Sequence, residues 1–220
     1  MFPLSDNAKA ARFPVMVWLL IAINIFVFIQ ELLAPNIDLY VARYALIPSH
    51  VHINDYLTMI PFVTAIFLHG GFLHILSNMW FLFIFGDNVE GALNPFGFLI
   101  LFLFSGIVGN VVQFAIAPHS SIPIIGASGG IAGILGCYYV LFPYAKVKTL
   151  LFLFFFVTII DINAPLMLGY WFILQLVSGA GSLSQTGADQ GGIAFFVHIA
   201  GFIIGILAGR MIKKHSAIYA

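Results

Sequence analysis

Charge is what this chain has least of. Only 7% of its 220 residues are Asp, Glu, Lys or Arg, where a soluble domain carries about a quarter. A soluble globular domain is therefore excluded, and with no basic face so is a nucleic-acid partner. Cysteine is scarcer still: the single Cys137 cannot form an intrachain disulfide and, inside an apolar run, reads as a packing residue. Seven histidines are present but no H-E-x-x-H, so a metal-dependent hydrolase has only scattered histidines to rest on, and neither a metal nor another cofactor is expected. No internal repeat or low-complexity linker divides the chain, which counts against the repeat architecture of many transporters and leaves one integral domain.

What fills the space is apolar. Hydrophobic residues make up 62% of the chain, with 24 Phe, and the mean hydropathy is +1.09; the solvent of this protein is a lipid bilayer. A helix needs about 20 mostly apolar residues to cross the hydrocarbon core, and only helices or closed barrels satisfy their backbone groups there. The apolar runs are continuous, without barrel-like alternation, and predict spans near 14–34, 72–90, 95–117, 124–143, 164–180 and 192–212. The expectation is an all-α integral membrane protein: a short tail (1–13), a six-transmembrane-helix bundle (14–212) and a second tail (213–220). The first span is too long for a removable signal peptide.

Basic residues concentrate on cytoplasmic loops. With six spans, Lys9 and Arg12, Lys146 and Lys148, and Arg210, Lys213 and Lys214 fall on one side, leaving only Arg43 outside, so both termini are expected in the cytoplasm. The stretch TLLFLFFFVTII, 149–160, is apolar enough to cross, but that would carry the last basic cluster outside. It is read instead as interfacial or packed on the bundle, with Asp161 near the inner surface. A short N-terminus without an Arg/Ser-rich transit segment points to a prokaryotic inner (plasma) membrane.

One stretch is out of keeping with its surroundings. IPIIGASGGIAGILG, 122–136, carries a hydroxyl, Ser128, in a glycine-rich apolar run whose nearest charges are Glu90 and Lys146. In a six-span frame the helices starting near 124 and 192 both enter from outside. At about 1.5 Å per residue, Ser128 lies roughly 27 Å above Lys146, and His198 roughly 18 Å above Arg210. His198, Gly201, Gly205 and Gly209 form one helical row, and Gly126, Gly129, Gly130, Gly133 and Gly136 line the other helix. Small residues at such spacing let backbones approach in lipid. The glycines alone fit packing seams; a serine and a histidine at one depth on two seams form a candidate functional site.

A second cluster lies in FLHGGFLHILSNMWFLFIFG, 67–86, where His74 and Asn78 share a helical face at four-residue spacing. Both offer donors of the kind a developing oxyanion needs, each worth about 3 kcal/mol in a water-poor site. On their own, a His and an Asn so placed are more often interhelical hydrogen-bonding residues.

Together GASGG around Ser128, HILSN from His74 to Asn78, HIAGFIIG from His198 to Gly205, and FGDNVE ending at Glu90 resemble, in order and spacing, the rhomboid intramembrane serine proteases over about 57–210. The resemblance implies Ser128 as nucleophile and His198 as general base, with His74, Asn78 and the Ser128 backbone N–H as oxyanion hole; His69 matches a second histidine before the first motif. Two features depart from that pattern. Ala132 stands where the family often has an aromatic residue supporting the histidine, and MIPFVT, 59–64, lacks a Trp-Arg pair.

The chemistry is also readable without the resemblance. Serine is a weak nucleophile until a base takes its proton, which a histidine can do before protonating the leaving amine. No carboxylate lies at the right depth: Asp189 belongs to an outer loop and Asp161 to the inner side, so a Ser-His dyad is expected, at a helix N-terminus that favours negative charge. Gly126, Gly129, Gly201 and Gly205 give room for it. A site in the outer half of the bilayer suits peptide bonds in or near transmembrane segments of other proteins, with small residues near the cut and helix-weakening residues below. Entry is expected between the second and fifth helices, under a cap formed by AGSLSQTGADQG, 180–191. Trp171, Phe172 and Gln175 are candidate gate residues, although aromatics there also suit packing or lipid contact. The alternatives from other classes are a polytopic transporter or channel, whose path a serine, histidine and asparagine could line, and a catalytically inactive rhomboid-like binding protein.

Overall fold

A 14-residue helix with glycine at four of its positions occupies the middle of the molecule, and the other elements are arranged around it. It is α5 (Ser128–Leu141), and every residue from Gly129 to Tyr138 is buried, as befits a helix apolar on all sides. The computed structural model describes residues 1–220 except 9–11, 53, 154–155, 184–194 and 219–220.

The other helices are α1 (Val15–Leu33), the short α2 (Ile37–Tyr44) and α3 (Pro61–Thr64), the 45-residue α4 (Phe72–Ile116), α6 (Ala164–Leu183) and α7 (Phe195–Ile218); α4, α6 and α7 pack against α5, and α1 packs against α4. Element α4 is two helices, broken at Asn94 by backbone angles φ 64 and ψ 165 next to Pro95. The Asn94 side chain accepts hydrogen bonds from the Phe96 and Gly97 amides and so caps the second half. This is the break expected between 90 and 95. Among the described residues four elements, α1, α4, α6 and α7, are long and apolar enough to cross a membrane, which makes this a multi-pass membrane protein. The span read at 124–143 is shorter than expected: the eleven residues between α4 and α5 form a loop tied by an antiparallel bridge between Leu46 and Ile124.

Helix α1 has no side-chain cap of its own. Glu90 supplies one, accepting from the Met16 and Val17 amides at 2.9 and 2.8 Å, a carboxylate at the positive end of a helix. At the other end of α1, Glu31 accepts from the His69 amide at 3.2 Å. These two clamps set α1 antiparallel to the first half of α4.

The all-α expectation needs correcting. Strands β2 (Lys146–Leu153) and β3 (Phe156–Asn163) form an antiparallel hairpin, and β1 (Phe2–Asp6) joins it in the order β1-β2-β3. The stretch 149–160 is thus strand rather than an apolar segment lying on the bundle, and residues 2–6, in the stretch read as a tail, are its third strand. The physical reason is visible in β2: Val147 and Thr149 are buried while Lys146 and Lys148 are exposed, the two-residue alternation of a half-buried strand. Beyond it the chain is rich in β-branched and aromatic residues, which favour strand. Asp161 pairs in register with Lys148. The sheet docks on α4 through the Trp80 indole, which donates to the Pro3 carbonyl at 2.7 Å and stacks on Phe2. At the C-terminus, α7 continues through 213–218, also read as tail.

The core is aromatic, with Phe85, Phe98, Phe102, Tyr138 and Phe202 fully buried. Its tightest seam runs between α5 and α7. A Cβ on Gly201 would collide with the Gly129 carbonyl oxygen, and one on Gly205 with that of Gly133. Residue numbers rise together along the seam, so the two helices are parallel and begin at the same end.

Candidate active site

Parallel helices in register put their first turns side by side. Ser128 opens α5 and His198 lies in the first turn of α7; the His198 Nε2 is 2.7 Å from the Ser128 Oγ. Ser128 is half-buried and His198 buried. The other ring nitrogen of His198, Nδ1, is 2.8 Å from the Gln175 Oε1. An amide oxygen only accepts, so Nδ1 carries the proton and Nε2 is left to accept from the serine hydroxyl.

Helix α6 faces this pair with Trp171 and Gln175, four residues apart, against His198 and Phe202, four apart on α7. The Trp171 ring lies 5.9 Å from the His198 ring at 38°, and Phe172 stacks on Phe202 at 4.7 Å. With only Ala132 one turn after Ser128, support for the imidazole comes from α6 and not from α5. Sequence reasoning placed Gln175 among gate residues; the contact with Nδ1 was not foreseen, though a polar amide at the depth of a buried histidine was its signal.

The donors at the mouth come from α4. The Gly70 amide donates to the His74 Nδ1 at 3.3 Å, which leaves a neutral His74 with its proton on Nε2. That nitrogen points at residue 126: a Cβ there would lie 2.8 Å from it and 3.6 Å from the Ser128 Oγ. Gly126, at φ +126, keeps that gap between histidine and serine open, in a conformation that favours glycine. Asn78 gives one amide hydrogen to the His74 carbonyl at 2.8 Å, leaving its second. No side chain caps α5, and the first amides of a helix have no intrahelical acceptor. His69 is fully buried, its ring 5.1 Å from that of His74 in an edge contact. Gly129 and Gly201 meet on the seam just below the pair, and Gly205 one turn further on. Of the expected cap, residues 184–191 lie outside the described residues, as does Asp189. Among the described residues no three His, Cys, Asp or Glu converge as a metal site.

Residues 57–215 match the family model of the Rhomboid domain. Rhomboid protein 1, mitochondrial, of Saccharomyces cerevisiae is 30% identical over 205 residues, 90% of this chain and 54% of that protein. Rhomboid-like protein 11, chloroplastic, of Arabidopsis thaliana is 26% identical over 162 residues, 70% of this chain and 52% of that one. Putative rhomboid protease YdcA of Bacillus subtilis is 38% identical over 76 residues, 34% of this chain and 38% of that protein. The chain spans about half the length of the first two relatives. Two of the three are organellar proteins of eukaryotes, so the expectation of a prokaryotic source gains no support from them. With the Rhomboid match covering most of its length and a relative 30% identical over 90% of it, the chain belongs to the rhomboid family.

Proposed function

We propose that the chain is an intramembrane serine endopeptidase that cleaves other membrane proteins in or near their transmembrane segments through the Ser128-His198 dyad. The observation that carries this is the 2.7 Å contact between the His198 Nε2 and the Ser128 Oγ at the head of a buried helix. In the acylation step the Ser128 oxygen attacks the scissile carbonyl carbon while its proton passes to Nε2. The oxyanion is stabilised from the His74 Nε2–H, the second Asn78 amide hydrogen and the Ser128 backbone N–H, at about 3 kcal/mol for each donor. The proton on Nε2 then goes to the leaving amine, and water, deprotonated by the same nitrogen, releases the acyl group. The family membership and the protease name of the Bacillus subtilis relative support this reading.

The depth of the site follows from length. Fourteen residues of α5 reach about 21 Å, short of a hydrocarbon core of about 30 Å, so a helix whose far end meets one surface starts below the other. The strand that follows α5 carries Lys146 and Lys148, and α7 ends in Arg210, Lys213 and Lys214. These basic residues mark the cytoplasmic side, which puts Ser128 in the opposite leaflet. Six crossings, both termini in the cytoplasm and lateral entry between the first half of α4 and α6 belong to the same proposal.

The test is cleavage of a model transmembrane substrate by the protein reconstituted in lipid, with Ser128→Ala and His198→Ala beside the parent. Loss of cleavage in both, with folding retained, supports the dyad. Cleavage persisting in either removes that residue from the mechanism, and labelling of a residue other than Ser128 by a fluorophosphonate removes the nucleophile assignment.

A further inference from the structure

The geometry points to Gln175 as the positioning residue of the base: its side-chain carbonyl fixes the tautomer and the plane of His198, extending the dyad to a hydrogen-bonded Ser-His-Gln set in which the third member comes from α6 and takes no proton. The proposal rests on the dyad reading above. A neutral imidazole has two tautomers, and only the one protonated on Nδ1 leaves Nε2 free to accept the serine proton. In serine hydrolases that use a carboxylate, its main service is to hold that tautomer and orientation. Here the atom facing Nδ1 at 2.8 Å is the Gln175 Oε1, and Trp171, one turn earlier on the same helix, lies against the ring. Ring and acceptor together restrict the imidazole in plane and in rotation.

An amide suits this place better than a carboxylate. Within the bilayer a fixed negative charge is expensive, whereas the glutamine oxygen supplies the acceptor without one. Its limit is that it offers no full charge to the imidazolium formed during acylation. The arrangement also ties the base to α6, the helix beside the proposed entry: displacement of α6 removes the acceptor and the supporting ring from His198 together, so the protein is a competent hydrolase only with that helix in place.

The experiment measures kcat and KM for the reconstituted full chain on a transmembrane substrate, together with the rate of fluorophosphonate labelling, which needs the base but no helical substrate. Gln175→Met keeps the length and removes the acceptor; Gln175→Glu keeps an acceptor oxygen at the same reach. A lost hydrogen bond of ordinary strength predicts a fall of about ten-fold in kcat and in labelling for Gln175→Met, with KM within about two-fold of the parent. Gln175→Glu is expected to recover most of the lost labelling rate. Gln175→Leu, read against the thermal midpoint, serves if the Met variant does not fold. Parental kcat and labelling in the apolar variants overturn the proposal. So does a rise in KM alone, which would make Gln175 a residue of the substrate path. Ser128→Ala separates the two levels: if it is inactive while Gln175→Met is fully active, the positioning role fails and the dyad stands; if Ser128→Ala still cleaves, the dyad itself has failed.

Discussion

Gly205→Ala adds one carbon at the narrowest point of the α5–α7 seam. The new Cβ would collide with the Gly133 carbonyl oxygen and lie 2.8 Å from both the carbonyl carbon of Gly133 and the amide nitrogen of Cys137. Carbon atoms pack best at about 3.5–4.0 Å, so the two backbones must part by roughly 1 Å. Overpacking of this kind costs about 1–3 kcal/mol. A rigid parting of that size would stretch the Ser128–His198 contact from 2.7 Å to roughly 3.7 Å, beyond hydrogen-bond range, and with it goes a general-base contribution of about 10²–10⁴ in rate. Two other glycines grade the argument. On Gly209 a Cβ would meet Val140 at 3.0 Å and the Cys137 oxygen at 3.1 Å, and on Gly169 only the edge of Tyr139 at 3.9 Å. Thermal midpoints in detergent and fluorophosphonate labelling rates should therefore fall in the order 205, 209, 169. Gly169→Ala is expected to be neutral or stabilising, since Ala is favoured over Gly in helices by about 1 kcal/mol. A Gly205→Ala protein that melts with the parent and labels within about two-fold of its rate would refute the seam as the device that holds the site together.

Two carboxylates away from the Ser128–His198 pair, Glu90 and Asp6, give further tests. Glu90→Ala strips the half-buried Met16 and buried Val17 amides of their charged acceptor and should cost about 3 kcal/mol, read as a lowered thermal midpoint; Glu90→Gln, which keeps one acceptor oxygen, should lose less, and equal midpoints for parent and Ala variant would contradict the clamp. Asp6, on β1, accepts from Tyr138 and from Asn88, and burial pushes its carboxyl up to about 6, against the Tyr138 hydrogen bond that pulls it down. The folded state then holds a proton that the unfolded state has already released between about pH 4 and 6, so stability should fall as pH rises through that window and level off above it, by about 1 kcal/mol once solvent screening is allowed for. Asp6→Asn should flatten that slope in midpoints measured from pH 4 to 7; an unchanged slope would show that another group titrates there.

How much of this was legible beforehand depends on the range of the interaction. The glycine rows, Ser128 and His198 could be read from the sequence because a three- or four-residue period and a polar group in an apolar run are local signals, and lipid makes both costly to leave unused. The break before Pro95 was local as well. The sheet was not read: 149–160 is apolar on both alternate sets, so hydropathy reported a membrane segment, while the cue for strand lay in Lys146, Val147 and Lys148 just upstream and in β-branched content. Its third strand, Phe2–Asp6, pairs with residues more than 140 positions away, and no period announces such a partner. Glu90 was noted as the end of a motif, yet its work, capping α1 some 74 residues earlier, depends on two helices being antiparallel. Gln175 falls between these cases. The rule that singled out Ser128 and His198, a polar side chain in lipid with its partner to be named, applies to it equally. Followed through, that rule asks which buried group lacks an acceptor, and the Nδ1–H of His198, which faces no carboxylate among the described residues, is the one that a glutamine on the neighbouring helix can satisfy.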